Sequence, residues 1–345
     1  MIPIKNIYYM LAYAYSVLRE EGYRDFETEE FEDAADLFAA ILSKGVLNQI
    51  RRGLSRDYIP EHSDSFVLRG KVDISESIKR MTMVKDQLSC SYDVFSANSY
   101  LNRIVKTALQ MLFESEISRK RREELRTVLV LLHDVEPLNV KNLSWNVNYN
   151  RRNRTYKMLI SICYLVINGL IHGSAGGSKK LMHFLDEQEM SKLYERFVFE
   201  YFRQEFPEID VTSSWIKWQL DDGVDDFLPS MQSDIMLSKG NRVLIIDAKY
   251  YSRITISRYN QPKLHSHNLY QIFAYVKNKE YELRNKPHEV SGLLLYAKTD
   301  EEIVPNVTYS MSGNKIAVRA LDLNCEFGKI KEQLNSIVDE YFPKL

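Results

Sequence analysis

Two apolar runs joined by a glycine and an asparagine constrain this chain more than any other feature: SDIMLSKGNRVLIIDAKYY, Ser233 to Tyr251. A Gly-Asn pair between such runs is the signature of a two-residue hairpin turn. With Gly240 and Asn241 at the bend, Asp234 falls opposite Asp247, and directly opposed residues share a sheet face. The period of two puts Lys249 on that same face and Ala248 on the other. Two opposed carboxylates repel, by up to about 1 kcal/mol on a sheet surface and more where water is excluded. The run VLII, apolar on both faces, predicts that the second strand is central in its sheet, where an unpaired aspartate is costly.

A hard divalent cation would offset that repulsion. Mg2+ takes one or two protein carboxylates and completes its shell with water and phosphate oxygens. Such an ion neutralises charge on a phosphodiester and acidifies a bound water, while a nearby lysine orients the nucleophile or stabilises the pentavalent phosphorus. Charges near strand ends also have a plainer use, since they deter edge-to-edge aggregation.

Asp234, twelve intervening residues and Asp247-Ala248-Lys249 resemble the PD-(D/E)xK nuclease motif. The segment QIFAY, Gln271 to Tyr275, resembles the QxxxY element that many of these nucleases carry on the helix after the catalytic strand. The segments IPIKNIYYMLAYAY, KGVLNQIRRGL, LRGKVD and HSHNLYQIFAYV extend the likeness along the chain to the McrC family, the nuclease subunits of modification-dependent (5-methylcytosine-type) restriction systems. That resemblance implies a Mg2+-dependent endonuclease acting on double-stranded DNA, with Mn2+ as an alternative ion. It implies a partner, a McrB-like AAA+ GTPase ring that reads the modified base and whose hydrolysis the chain stimulates. It makes Asp234, Asp247 and the backbone carbonyl of Ala248 the metal ligands, Lys249 the catalytic lysine, and Gln271 and Tyr275 supporting groups. Ser233 stands where the motif has proline, which supplies no ligand atom. Many nucleases of this fold add a glutamate from the first helix; here the helix offers Glu195 and Glu200, five apart and so not on one face, and Glu200 is the candidate. Two alternatives are an autonomous RecB-like repair or trimming nuclease and a non-catalytic activator or scaffold.

The implied fold class is α+β: an N-terminal partner-docking domain of mixed helix and strand, then a restriction-endonuclease-like α/β domain with a mixed central sheet flanked by helices. Length, 345 residues, allows two domains. HGSAGGSKK (His172 to Lys180) has linker composition, which divides the chain into 1–172, a linker 173–180 and 181–345. The same stretch fails as a phosphate-binding loop, because Ser178 and Lys180 stand where glycine and Ser/Thr are required.

Lys+Arg (46) and Asp+Glu (47) nearly cancel, so any basic surface must be local. The densest basic clusters are Ser118 to Arg126, a solvated face with its own glutamates, and Asn150 to Lys157, where Tyr156 accompanies the arginines and a DNA or partner contact is plausible. Arg51, Arg52 and Asp57, at a helix-to-strand junction, are the candidate partner contacts. The tyrosines of the first helix are read as core, and His265 and His267 as ordinary polar contacts. Three scattered cysteines argue against a disulfide framework and a zinc site. No segment reads as a signal peptide or membrane span, so a cytoplasmic protein is expected.

Overall fold

The computed structural model describes residues 2–15, 18, 26, 29–150, 153, 155–174, 187–251, 255–258, 261–298 and 305–343. It divides into two compact units, one made of Met1–Glu30 with Leu185–Leu345, the other of Phe31–Phe184. The boundary expected from sequence at 173–180 places the first helix in the wrong half. Helix α1 (Ile4–Ala14) packs along the later helices α7 (Glu187–Glu205) and α9 (Phe327–Tyr341). The Asn6 amide donates to the carbonyls of Leu323 and Cys325 at 2.8 and 2.7 Å. Tyr9 stacks on Phe327 with ring centres 4.3 Å apart, and Tyr13 packs edge-on against Phe197. Tyr8 and Tyr13 are therefore core, as expected, and Tyr9 and Tyr15 half-buried, but all belong with the C-terminal half. Of the expected linker, Gly173 and Ser174 end helix α6 (Tyr156–Ser174), and 175–180 lie outside the described residues.

The Phe31–Phe184 unit begins with α2 (Ala34–Arg52), whose Asp33 side chain accepts from the Asp36 N–H at 2.9 Å and so caps the helix. Strands β1 (Asp57–Ser65) and β3 (Leu88–Ser96) form an antiparallel ladder running from Asp57 opposite Ser96 to Ser65 opposite Leu88. Between them β2 (Lys71–Val72) joins the other edge of β3, and α3 (Ile74–Lys79) is capped by Asp73. Helices α4 (Tyr100–Glu114), α5 (Arg119–Leu131) and α6 pack with α2. Tyr156 is not a surface contact. It is buried, its hydroxyl donating to Asn102 Oδ1 at 2.6 Å and accepting from the Ser55 N–H. Arg151, Arg152 and Arg154 lie outside the described residues. In α5, Arg119 pairs with Glu123 at the surface as expected, whereas Arg121 is buried against Glu124.

The other unit is built on a six-stranded sheet. After α7 come β4 (Asp210–Thr212), the small hairpin β5 (Trp215–Ile216) and β6 (Met231–Gln232), then β7 (Ile235–Lys239) and β8 (Arg242–Lys249). A second small hairpin, β9 (Thr255–Arg258) and β10 (Gln261–Leu264), precedes α8 (Ser266–Leu283), β11 (Glu289–Ala297), β12 (Val307–Met311), β13 (Asn314–Leu321) and α9. The sheet order is β12-β13-β11-β8-β7-β4, with β8, β11 and β13 mutually parallel and the rest antiparallel. Its centre is β8 and β11, which explains why VLII is apolar on both faces: neighbouring strands flank it and helices cover it. One face packs Met236, Ile245, Leu294 and Tyr296 against Ile272, Tyr275 and Val276 of α8. On the other side Tyr194 of α7 donates to the Leu295 carbonyl. The mixed sheet flanked by helices is the α+β architecture expected. Among the described residues no helix is long and apolar enough to cross a membrane.

Candidate active site

The β7–β8 hairpin closes as its sequence demands. Lys239 pairs with Arg242 around the turn, with Gly240 at φ 62°, and Ile235 pairs with Ile246. Asp234, one residue before β7, thereby arrives across from Asp247. Its Oδ2 accepts from the Ala248 N–H at 2.9 Å, which pins the carboxylate to the end of β8. Lys249 Nζ donates to Asp247 Oδ1 at 2.8 Å and stands 4.0 Å from Asp234 Oδ2. The two acids and the amine are thus brought together.

Their environments differ. Asp247 is 0% exposed, and its Oδ2 is buried with no hydrogen-bond partner. Burial pushes the Asp247 carboxyl up to about 7; the charge of Asp234 adds to the rise, and Lys249 opposes it. Burial pulls the Lys249 ammonium the other way, but the attraction of Asp247 and Asp234 outweighs it and raises its pKa, so the lysine is a cation. A buried anionic oxygen with no donor is expensive, and it is the kind of atom a hard cation ligates. No three side chains of His, Cys, Asp or Glu form a ready cage among the described residues. Two carboxylates with backbone carbonyls and water are instead the sparse set that suits Mg2+. The residues fit that ion.

The helix carboxylate is a different residue from the one expected. Glu200 accepts from Arg203 at 2.6 Å and from Gln204, an ion pair within its own helix. Glu195 faces the site: burial pushes its carboxyl up to about 7, with the charge of Asp234 adding and Lys249 opposing. Five residues rotate a helix by about 140° from face to face. Tyr194 and Val198, both fully buried against the unit's core, fix which of the two glutamates turns toward the strands.

Helix α8 contributes from the sheet face that Asp247 and Lys249 occupy. Gln271 donates to the Tyr275 hydroxyl at 2.8 Å, and Tyr275 is buried in the core beside Tyr296. The first turn of α8 adds what sequence reasoning missed. Asn268, 0% exposed, donates to the Tyr296 hydroxyl at 2.9 Å and accepts from Tyr251 at 3.4 Å. The ring of His265 lies 5.4 Å from Tyr251 and 5.6 Å from His267, an aromatic cluster rather than a set of ligands. Ser233 has its own explanation: its N–H donates to the Ser214 carbonyl at 3.0 Å, a bond that a proline could not make. Arg51 and Arg52 end α2, and Asp57 starts β1; all three are exposed and belong to the other unit.

With the geometry in view, the chain can be set beside the known proteins it is similar to. It is 31% identical over 347 residues to the type IV methyl-directed restriction enzyme EcoKMcrBC of Escherichia coli (strain K12), covering 99% of this chain and 98% of that one. A solved half-complex of Thermococcus gammatolerans McrB AAA+ hexamers with bound McrC is similar at 18% identity and TM-score 0.49, over 98% of this chain and 76% of that one. A second structure, the Thermococcus gammatolerans McrBC complex, is similar at 18% identity and TM-score 0.38, over 59% and 58%. Residues 4–297 match the family described as McrBC 5-methylcytosine restriction system component, and the chain belongs to that family.

Proposed function

We propose that this chain is the endonuclease subunit of a modification-dependent restriction complex, hydrolysing DNA phosphodiesters with Mg2+ in concert with a McrB-like AAA+ ring. The observation that carries the reading is the convergence of Asp234, Asp247 and Lys249 around one orphaned, buried carboxylate oxygen. When bound, the ion supplies an acidified water and charge neutralisation at the phosphate. Asp234 and Asp247, with the Ala248 carbonyl, hold it, and the bond from the Ala248 N–H keeps Asp234 turned inward. Lys249, a cation held 2.8 Å from Asp247, offers its ammonium to the negative charge that grows on the phosphate. Glu195, poised near neutrality, can accept a proton from the attacking water or help to hold the ion's shell. Gln271 and Tyr275 brace the α8 face. Family membership supports the assignment to a restriction system.

The partner surface belongs to the other unit. Asp57 and the nearby Arg51 and Arg52 mark the base of the β1–β3 ladder, where Tyr58 and Phe95 are also exposed, and a larger group of exposed apolar side chains lies at its far end, about 26 Å away by strand rise. Phe66 is 75% exposed and Val84 83%, with Val67, Leu68, Ile78 and Met81 also largely bare. Apolar clusters of this kind mark protein contacts. We assign partner docking to this end of the ladder as well as to its base.

One reconstitution tests both parts. Asp247→Asn should lower cleavage by a hundredfold or more, roughly the scale of lost metal support, while association with the ring and stimulation of its nucleotide hydrolysis persist. Val84→Asp should keep the melting temperature but lose association, and with it both the stimulated hydrolysis and the cleavage. Full cleavage by a folded Asp247→Asn chain rejects the hydrolytic site. Cleavage by the purified chain without any ring rejects the dependence on a partner.

A further inference from the structure

The hydrolytic reading uses the strands and leaves one buried polar feature unexplained. Asn268, Tyr251 and Tyr296 form a hydrogen-bonded chain, and both Asn268 and Tyr296 are 0% exposed. Burying the polar groups of Asn268 and Tyr296 where Leu and Phe would pack is costly, and the cost is tolerated only where every member is bonded.

The bonding is nearly complete, and the gap is informative. The Tyr296 oxygen accepts from Asn268 Nδ2, so the phenol's remaining resource is its hydrogen, which makes no hydrogen bond among the described residues. The register of β8 and β11 places Tyr296 beside Lys249 and Leu294 beside Asp247, all on the face toward α8. An unspent donor therefore stands one residue pair from an unspent acceptor, Asp247 Oδ2. The two do not bond each other. A hydrated cation would use both, the anionic oxygen for the ion and the hydroxyl hydrogen for one of its waters.

We infer that Tyr296 and Asn268 are positioning residues for the cation site: Asn268 occupies the phenol's oxygen and so commits its hydrogen to the polar pocket shared by Asp247 and Lys249. Tyr251 completes the chain by fixing the orientation of the Asn268 amide. This rests on the metal-hydrolase reading, and its test is separable from it. Tyr296→Phe removes a single oxygen and no packing volume, so the core it belongs to should stay intact.

The reconstituted complex is titrated with Mg2+ while DNA cleavage is followed, and Mn2+ binding to the isolated full chain is read by electron paramagnetic resonance with Asp247→Asn as the blank. Tyr296→Phe and Asn268→Ala should each shift the Mg2+ half-saturation and the Mn2+ affinity by about tenfold, the usual effect of losing a partner of a metal's inner ligands. Stimulation of the ring's nucleotide hydrolysis should be unchanged. Tyr251→Phe should give the same shift in smaller measure. Metal curves for Tyr296→Phe that overlay wild type overturn the inference, whether or not the rate falls, because a rate loss alone is what a packing defect gives. If Asp247→Asn itself cleaves normally, it is the nuclease reading that has failed, whatever Tyr296→Phe does.

Discussion

Glu195 and Asp247 both hold their protons up to about pH 7 in the ion-free chain, for the same reason: burial disfavours their anions and Asp234 adds repulsion. In an unfolded chain such carboxyls titrate near 4. Between those limits the folded state binds more protons than the unfolded one, so stability falls as pH rises from about 4 to about 7 and levels off above. The melting temperature measured without divalent ions should decline across that window. Glu195→Gln should shrink the decline, and Mg2+ should shrink it too by replacing the proton on Asp247, with proton release visible calorimetrically in buffers of different ionisation enthalpy. A decline unaltered by Glu195→Gln would remove that residue from the site. The aspartates and the lysine were legible in the sequence because a turn and a period of two are local rules. Glu195 was not separable from Glu200, because the rotation of α7 about its axis is set by distant packing around Tyr194 and Val198. Asn268 and Tyr296 gave no signal either, since a buried asparagine reads like any helix-start residue until the strand that meets it is known.

At the level of elements, α8 is held to the sheet through a place where a side chain is missing. A Cβ on Gly292 of β11 would lie 2.8 Å from Ile272 Cγ1 and 2.9 Å from Val276 Cγ2. Both contacts are tighter than carbon atoms tolerate, and Ile272 and Val276 are buried with little room to turn away. Gly292→Ala should therefore push α8 outward and cost on the order of 1–3 kcal/mol, the range for overpacking a core. Since α8 also carries Asn268, Gln271 and Tyr275, cleavage should suffer more than partner binding. Urea unfolding midpoints and cleavage rates, measured side by side, check this; an alanine variant as stable and active as wild type would mean the helix is not seated through this contact. The helix and the two central strands were visible as apolar runs. The far edge of the sheet was not, because β12 is exposed along most of its length and owes its conformation to pairing with β13.

For the molecule as a whole, the Phe31–Phe184 unit is an insertion into the other, and α1 belongs to the same unit as Asp234, Asp247 and Lys249. The Arg196 guanidinium donates to the Ala14 carbonyl and the Gln204 amide to that of Tyr13, so α1 also completes the outer surface of α7. Residues 185–345 expressed alone should be poorly folded, lacking α1, whereas residues 1–30 joined by a flexible linker to 185–345 should melt cooperatively. Circular dichroism melts of the two fragments decide this, and a cooperative melt from 185–345 alone would make α1 an accessory. Linear sequence hid this arrangement, because it depends on the two ends of the chain meeting and no local pattern announces such a contact.

A guest module that leaves and re-enters its host through α1 and α7 can be exchanged as a cassette. On the proposed reading, divergence confined to residues 31–184 leaves Asp234, Asp247 and Lys249 outside the exchanged segment. On that reading, new motors would be accommodated by altering only what lies between the two seams.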